Sequence, residues 1–370
     1  MFKELIDRAS HFLDEELPFA LYSKPNSGIL NAIFQNDDEI HFVKDFTETG
    51  FVFAPFDVAS NTILLKSDEM KTAPIEVDIL PWEAAKSEVI LNQAEKEQHI
   101  DLITKALEKI QEGSLNKVVL SRKIEVNCKL TSTLLFQRML KMYPKAFCYL
   151  WHHPKVGTWI GATPEILIKS KGQEFTTMSL AGTQSSSEFE IPQWTQKELH
   201  EQQLVTDYIL ETLKAVGVTV ENSEVESVKA GSLWHLRTEL KGRFAPNTFE
   251  KVVKAIHPTP AVCGTPLEAA ANFIKKNESY DRAFYTGFLG ELNFKAEVSR
   301  NRNQRNQENS VYRSVMQKSE LFVNLRCMQL STNKVSIYVG GGITADSNPE
   351  KEWEETVSKS STMLRVLNYK

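Results

Sequence analysis

The chain has 370 residues, 41% of them hydrophobic and 25% charged, with a formal net charge of −5. That length admits two or three average domains or one large one, and the charge argues against the basic footprint of a nucleic-acid binder or a polybasic membrane patch. No apolar run approaches the roughly 18 residues needed to span a bilayer, and four scattered cysteines form no C-x-x-C pair; a cytoplasmic protein with reduced thiols, no nucleic-acid partner and no membrane partner is expected.

Residues 2–16 have the spacing of a short amphipathic helix. Between 17 and 90, β-rich runs such as Ile40–Val43, Gly50–Ala54 and Thr62–Leu65 alternate with turn residues and read as scaffold strands. Helical spacing returns from Glu95 to Gln111 and stops at Gly113. Lys117–Val126 reads as a strand, with Val118, Leu120, Ile124 and Val126 on one face and Lys117, Val119 and Ser121 on the other. A helix over 131–142 precedes a hairpin-like series from Ala146 to Leu180. Pro164-Glu165 interrupts that series, and a carboxylate beside proline in a turn is ordinarily just solvated.

The helix predicted from Thr195 to Ala215 is more informative. Glu198, Glu201, Val205, Tyr208 and Ile209 share one arc of its wheel. A carboxylate on an apolar arc is costly to bury without a cation. Two of them three residues apart point to an oxygen-rich metal site, unless the arc borders solvent. Next come a β-like run over 232–237 and a helix from Phe249; His257–Pro266 is too rich in proline for a regular element and is a shaped loop. Ala283–Leu292 is strand-like, Ser299–Asn309 is a solvated Arg/Asn/Gln excursion without the aromatics of an RNA binder, and Glu320–Arg326 is a strand ending in arginine.

The last stretch reads as a strand with glycines at 340, 341 and 342, a turn and a helix reaching about Asn368. Asp346, Ser347 and Asn348 offer capping oxygens, and Pro349 suits the first helical position. Trp353, Val357, Leu364 and Leu367 fall on one side of the helix; Glu352, Glu355 and Lys359 fall on another. Glycine in a strand admits the close approach of a ligand. An acidic first turn also complements the helix dipole, so this stretch alone leaves a plain surface helix open. With no repeat and no dividing linker, residues 1–370 are expected to form a single domain, with 1–90 as N-terminal scaffold strands and 95–367 bearing the motifs.

Ten motifs stand in order: Lys117-Val-Val-Leu-Ser-Arg122, Thr163-Pro-Glu165, Leu180-Ala-Gly-Thr183, His200-Glu201, Leu233-Trp-His-Leu236, His257-Pro-Thr-Pro-Ala261, Tyr285-Thr-Gly287, Arg326, Gly340-Gly-Gly-Ile343 and Glu352-Trp-Glu-Glu-Thr356. Together they resemble the chorismate-utilising enzymes, and within that family the members that form isochorismate. The resemblance implies an α/β (α+β) fold with large antiparallel sheets packed together, helices outside and the active site in a cleft. It also implies chorismate as substrate, Mg²⁺ as cofactor and a monomer.

By motif, Glu201 and Glu355 would be the metal carboxylates, with Glu198 and Glu352 helping directly or through water. Arg326 and Tyr285 would grip the enolpyruvyl carboxylate, and Lys359 would reach the ring carboxylate. Gly182, Thr183, Gly340 and Gly342 would offer backbone donors, and His235 would line the ring pocket. Lys117 would be the base that activates water at ring C2; Glu165 would be the acid that protonates the departing C4 hydroxyl, which needs a raised pKa. Isochorismate formed this way would feed menaquinone or siderophore biosynthesis.

Lysine at 117 and alanine at 181 argue against the ammonia-using relatives, which do not activate water. Salicylate synthases share the acid and base and then eliminate pyruvate, but tend to carry threonine where this chain has Ala261. A non-catalytic chorismate-binding protein would be expected to lack Lys117, Glu165, Glu201 or Glu355, and all four are present. The segment at about 295–318 departs from the usual family spacing.

Overall fold

The structure, a computed structural model, describes residues 1–79, 93–185, 191–230, 233–298 and 314–367; within these, the side chains of residues 183, 185, 197, 230, 233, 297, 298, 314 and 315 are outside the description. The Ser299–Asn309 excursion falls outside the described residues.

Two antiparallel sheets carry the fold. The nine-stranded sheet runs, from one edge to the other, Gly264–Thr265, Lys117–Asn127, Lys334–Ile343, Cys327–Ser331, Gly157–Thr163, Phe147–His153, Phe19–Ser23, Ile29–Phe34 and Glu69–Pro74. The ten-stranded sheet runs Val220–Asn222, Leu233–Arg243, Glu174–Ser185, Ile166–Lys171, Ser314–Val323, Phe288–Val298, Gly50–Ala54, Ile63–Leu65 and His41–Phe42, with Glu226–Ala230 paired to Leu233–Arg243. The sheets meet through a layer of inward rings. Phe53, Tyr149, Trp151 and Trp159 are buried in it, and Phe147 stacks on Phe322 with centroids 4.1 Å apart. Such pairs add to the burial of their large apolar area. One polar clamp also crosses this interface. Tyr22 Oη donates to Glu291 Oε1 at 2.6 Å, and Lys24 Nζ lies 2.5 Å from both Glu291 and Glu320.

Helices cover the outer faces. Phe2–Asp14, Ser132–Met142 and the C-terminal half of Pro349–Leu367 pack on the nine-stranded sheet; Gln196–Ala215 and Phe249–Ile256 pack on the ten-stranded one. Gln93–Gln111 and Leu267–Asn277 enclose a smaller core against Val118, Leu120 and Ile343. The four cysteines form no disulfide, and no helix among the described residues is long and apolar enough to cross a membrane.

Several expectations shift. The 146–180 series is not one run of hairpins: Gly157–Thr163 and Ile166–Lys171 lie in different sheets, so Pro164-Glu165 is a crossover between layers. The strand expected at 283–292 begins at Phe288, because Ala283 and Thr286 have φ of 48° and 64°, which interrupts extended backbone. The strand expected to end at Arg326 stops at Val323. Arg326, at φ 48°, instead occupies the second crossover, back to the nine-stranded sheet. Hydrogen bonds anchor both crossovers: Val323 N–H donates to Glu165 O and Ala162 N–H to Arg326 O, each at 3.0 Å. The helix Leu267–Asn277 was hidden behind the proline-rich loop.

Candidate active site

Beside the aromatic layer, whose Tyr285 and Tyr338 reach it, both sheets line a cleft with an empty volume of about 1040 Å³, its mouth included. Val119 and the Gly340–Gly342 run line it from one sheet; Leu180, Gly182 and His235 line it from the other. Helix Gln196–Ala215 contributes Glu198 and Glu201, and helix Pro349–Leu367 contributes Glu355 and Lys359. The crossovers supply Glu165 and Arg326, and Ala261 and Tyr285 complete the wall.

Lys117 opens its strand beneath this surface. It is 1% exposed, and its Nζ donates to Glu201 Oε1 at 2.8 Å. The glycine run explains how the two meet. Gly342 pairs with Val119 in the ladder, and a Cβ on Gly342 would lie 2.7 Å from Glu201 Oε1 and 3.0 Å from Lys117 Cε. What comes close to the backbone here is therefore a pair of the chain's own side chains. At Gly341 the same test finds only ordinary contacts, Glu352 Oε2 at 3.7 Å and Glu355 Oε2 at 3.8 Å.

Asn348 Oδ1 accepts from Lys351 N–H at 3.1 Å and caps the final helix. Further along this helix, Lys359 Nζ lies 2.7 Å from Glu355 Oε1 and donates to Gly340 O at 3.0 Å. Arg326 Nη1 donates to Lys359 O at 3.2 Å, which ties the crossover to this helix. The carbonyls at Gly182 and Gly340 accept from His235 and Lys359. Thr183 lies in the strand Glu174–Ser185, but its side chain is outside the description.

The carboxylates divide into roles. Glu201 and Glu355 line the cleft, each beside a lysine ammonium; charged oxygens from two helices suit a hard divalent cation such as Mg²⁺. Glu198 also lines the cleft, but its Oε2 accepts from Thr195 N–H at 2.9 Å in a capping box, so that oxygen is already engaged. Glu352 is buried near Gly341 and does not line the cleft. Among the described residues, the group of three potential metal ligands whose ligand atoms all lie within 4.8 Å of one another is Asp37, Glu39 and His41, outside this cleft.

Burial displaces the titrations of Glu165 and His235 among the groups lining the cleft. Glu165 is pushed up to about 7, against the opposing pull of Lys117 and Arg326. His235 is pushed down to about 4, also helped by Arg326. Its Nδ1 lies 3.0 Å from Gly182 O, which assigns the proton to Nδ1 and leaves Nε2 as an acceptor in a neutral ring.

Two residues that sequence reasoning passed over hold the wall together. Arg282 Nη2 donates to Glu278 Oε1 and to Val119 O at 2.6 Å each, and Arg282 Nη1 donates to Val262 O at 3.0 Å. Glu278 Oε1 accepts from Ser121 N–H at 2.8 Å. The side chains are 2% and 1% exposed, so the pair is an internal brace between the Lys117 strand and the proline-rich loop. An i,i+4 charge pair just beyond a helix end is indistinguishable in sequence from a surface ion pair. Arg122 is similar: its guanidinium lies 4.1 Å above the Trp353 ring and its Nε donates to Thr356 Oγ1 at 2.8 Å, fastening the final helix to the Lys117 strand.

A sequence model of the chorismate binding enzymes matches residues 61–298, and a second under the same description matches 310–365. The chain belongs to the chorismate-binding enzyme family. Isochorismate synthase DhbC of Bacillus subtilis is 27% identical to it over 336 residues, covering 85% of this chain and 79% of that protein. Isochorismate synthase EntC of Escherichia coli is 30% identical over 269 residues, covering 68% and 62% respectively. The fold of this chorismate-binding enzyme is similar to that of MenF, the menaquinone-specific isochorismate synthase from Escherichia coli, with a TM-score of 0.73, 20% identity and 95% and 88% coverage.

Proposed function

We propose that this enzyme is an Mg²⁺-dependent isochorismate synthase. Glu165, the expected acid, lines a cleft that also presents Arg326 and two lysine-paired carboxylates; Lys117, the expected base, is buried beneath its glycine floor against Glu201, and this arrangement carries the reading. The curated relatives named isochorismate synthase support it.

In the proposed reaction water forms a new C2–O bond as the C4–O bond breaks and the ring double bonds shift. Lys117, once it has given up the proton that pairs it with Glu201, takes a proton from the attacking water as the free amine. Glu165, as the acid, gives its proton to the departing hydroxyl, so one water enters and one leaves. A carboxyl that ionises near 7 is half-protonated at neutral pH, as this role requires. Arg326 suits a two-oxygen partner and would hold the enolpyruvyl carboxylate beside Tyr285. Glu201 and Glu355, with Glu198 and Glu352 around them, would hold Mg²⁺, which supplies charge neutralisation at the ring carboxylate when bound. Neutral His235 would bound the ring without adding charge.

Ala261 lines the cleft and adds no polar group there, which favours stopping at isochorismate over pyruvate elimination. The test is incubation of the purified protein with chorismate and Mg²⁺, followed by chromatography of the products. Isochorismate is expected. Salicylate with pyruvate would move the assignment to a salicylate synthase, and no turnover with or without ammonia would leave a chorismate-binding protein. Relatives from both menaquinone and siderophore pathways leave either as the destination of the product.

A further inference from the structure

A second groove adjoins the cleft and shares Pro164, Leu180, His235 and Arg326 with it. Its other cations are Lys145, Lys169, Lys229, Arg237 and Arg365, and no aspartate or glutamate is among its lining residues. Two carboxylates that pair with these cations stand outside the lining: Glu226 lies 2.6 Å from Arg237 and Glu320 3.6 Å from Lys169. Apolar groups such as Met142, Met178 and Val228 line it together with the basic ones.

The cleft lacks this excess of cations. Four carboxyl groups line it, Glu165, Glu198, Glu201 and Glu355, with Glu165 half-protonated near neutral pH, against Arg326 and Lys359 in the lining and Lys117 beneath Glu201. A dianionic ring approaching it directly meets no net attractive field. The groove offers an attractive one, and its inner end is Arg326, the guanidinium that both cavities share. Charges spaced within a Debye length, about 8 Å at physiological salt, reinforce one another along such a path.

We infer that this groove is the entry vestibule for a small ring dianion, drawing it in along Lys145, Lys229 and Arg365 and passing it to Arg326. The mixture of cations and apolar side chains in its lining suits a small, flat, amphipathic dicarboxylate. The inference rests on chorismate being the substrate, and its test separates the two.

The variant to make is Lys145→Glu/Lys229→Glu/Arg365→Glu, since all three residues are exposed and none belongs to the catalytic machinery. At low ionic strength its kcat/KM for chorismate should fall at least tenfold, carried by KM, with kcat within twofold of the wild type. The difference should shrink as KCl is raised, and wild-type kcat/KM should itself decline with salt. Lys275→Glu, an exposed charge reversal outside the groove, should change neither parameter. Calorimetric titration with isophthalate, a flat ring dianion, reads the same field if chorismate is not turned over. Weaker, less salt-dependent binding by the triple variant supports the vestibule. Equal kcat/KM, or for a protein without turnover equal isophthalate affinity, in variant and wild type at low salt overturns the vestibule and leaves the proposed reaction untouched. A wild type that binds isophthalate through the groove but makes no isochorismate overturns the reaction alone.

Discussion

Lys117 Nζ and Glu201 Oε1 stand 2.8 Å apart across the glycine at 342, so the expected base and an expected metal carboxylate are each other's partners. A cation bound at Glu201 competes with that ammonium. Lys117→Met should therefore tighten Mg²⁺ binding, measured by calorimetry, while turnover falls by about 10³-fold or more for loss of the base. Weaker Mg²⁺ binding by the variant would contradict the competition.

The reverse substitution isolates the lysine. Glu201→Gln leaves Lys117, at 1% exposure, without its carboxylate. Breaking a buried pair from one side costs about 3 kcal/mol, which should appear in urea unfolding without metal. An unchanged midpoint would show that the pair contributes nothing.

Glu165 supplies a pH signature. In the unfolded chain its carboxyl ionises near 4.5, and in the folded protein near 7. Its contribution is therefore fully favourable below 4.5 and is lost as pH rises through 7. At 1.36 kcal/mol per pKa unit the loss is about 3 kcal/mol by pH 8. Glu165→Gln should thus stabilise the protein at pH 8 and not at pH 4, while abolishing turnover at both. For the wild type, the limb of kcat that depends on a protonated acid should fall above about pH 7. A Gln variant with equal stability gains at both pH values would remove the burial argument.

The glycine run gives a paired test. Gly342→Ala places a methyl 2.7 Å from Glu201 Oε1, so turnover should fall by about 100-fold or more as Lys117 and Glu201 are displaced. Gly341→Ala meets nothing closer than 3.7 Å and should lose much less, within about tenfold. Comparable losses in the two variants would mean that the close approach at Gly342 is not what the reaction needs.

The internal brace predicts a loss of activity at a distance. Glu278→Gln strands the Arg282 guanidinium, at a cost of about 3 kcal/mol by equilibrium unfolding. Because Arg282 also holds Val119 and Val262, which line the cleft, kcat should fall with it. Full activity in a destabilised variant would confine the pair to stability.

Local chemistry was legible in the linear chain. The capped final helix, the Thr195–Ala215 helix with its two glutamates and the 117–126 strand all form close to where spacing put them, because period and capping are properties of neighbouring residues. Strand partners were not legible: alternation marks a strand but not its sheet. Whether Pro164-Glu165 and Arg326 made ordinary turns or crossovers depended on residues more than 150 positions apart. Burial decided the rest. The same carboxyl type is a half-exposed cap at Glu198, an internal brace at Glu278 and an acid pushed up to about 7 at Glu165, according to what the fold packs against it. The formal charge of −5 likewise concealed the basic groove, whose cations come from separate elements and add up only where the folded chain brings them together.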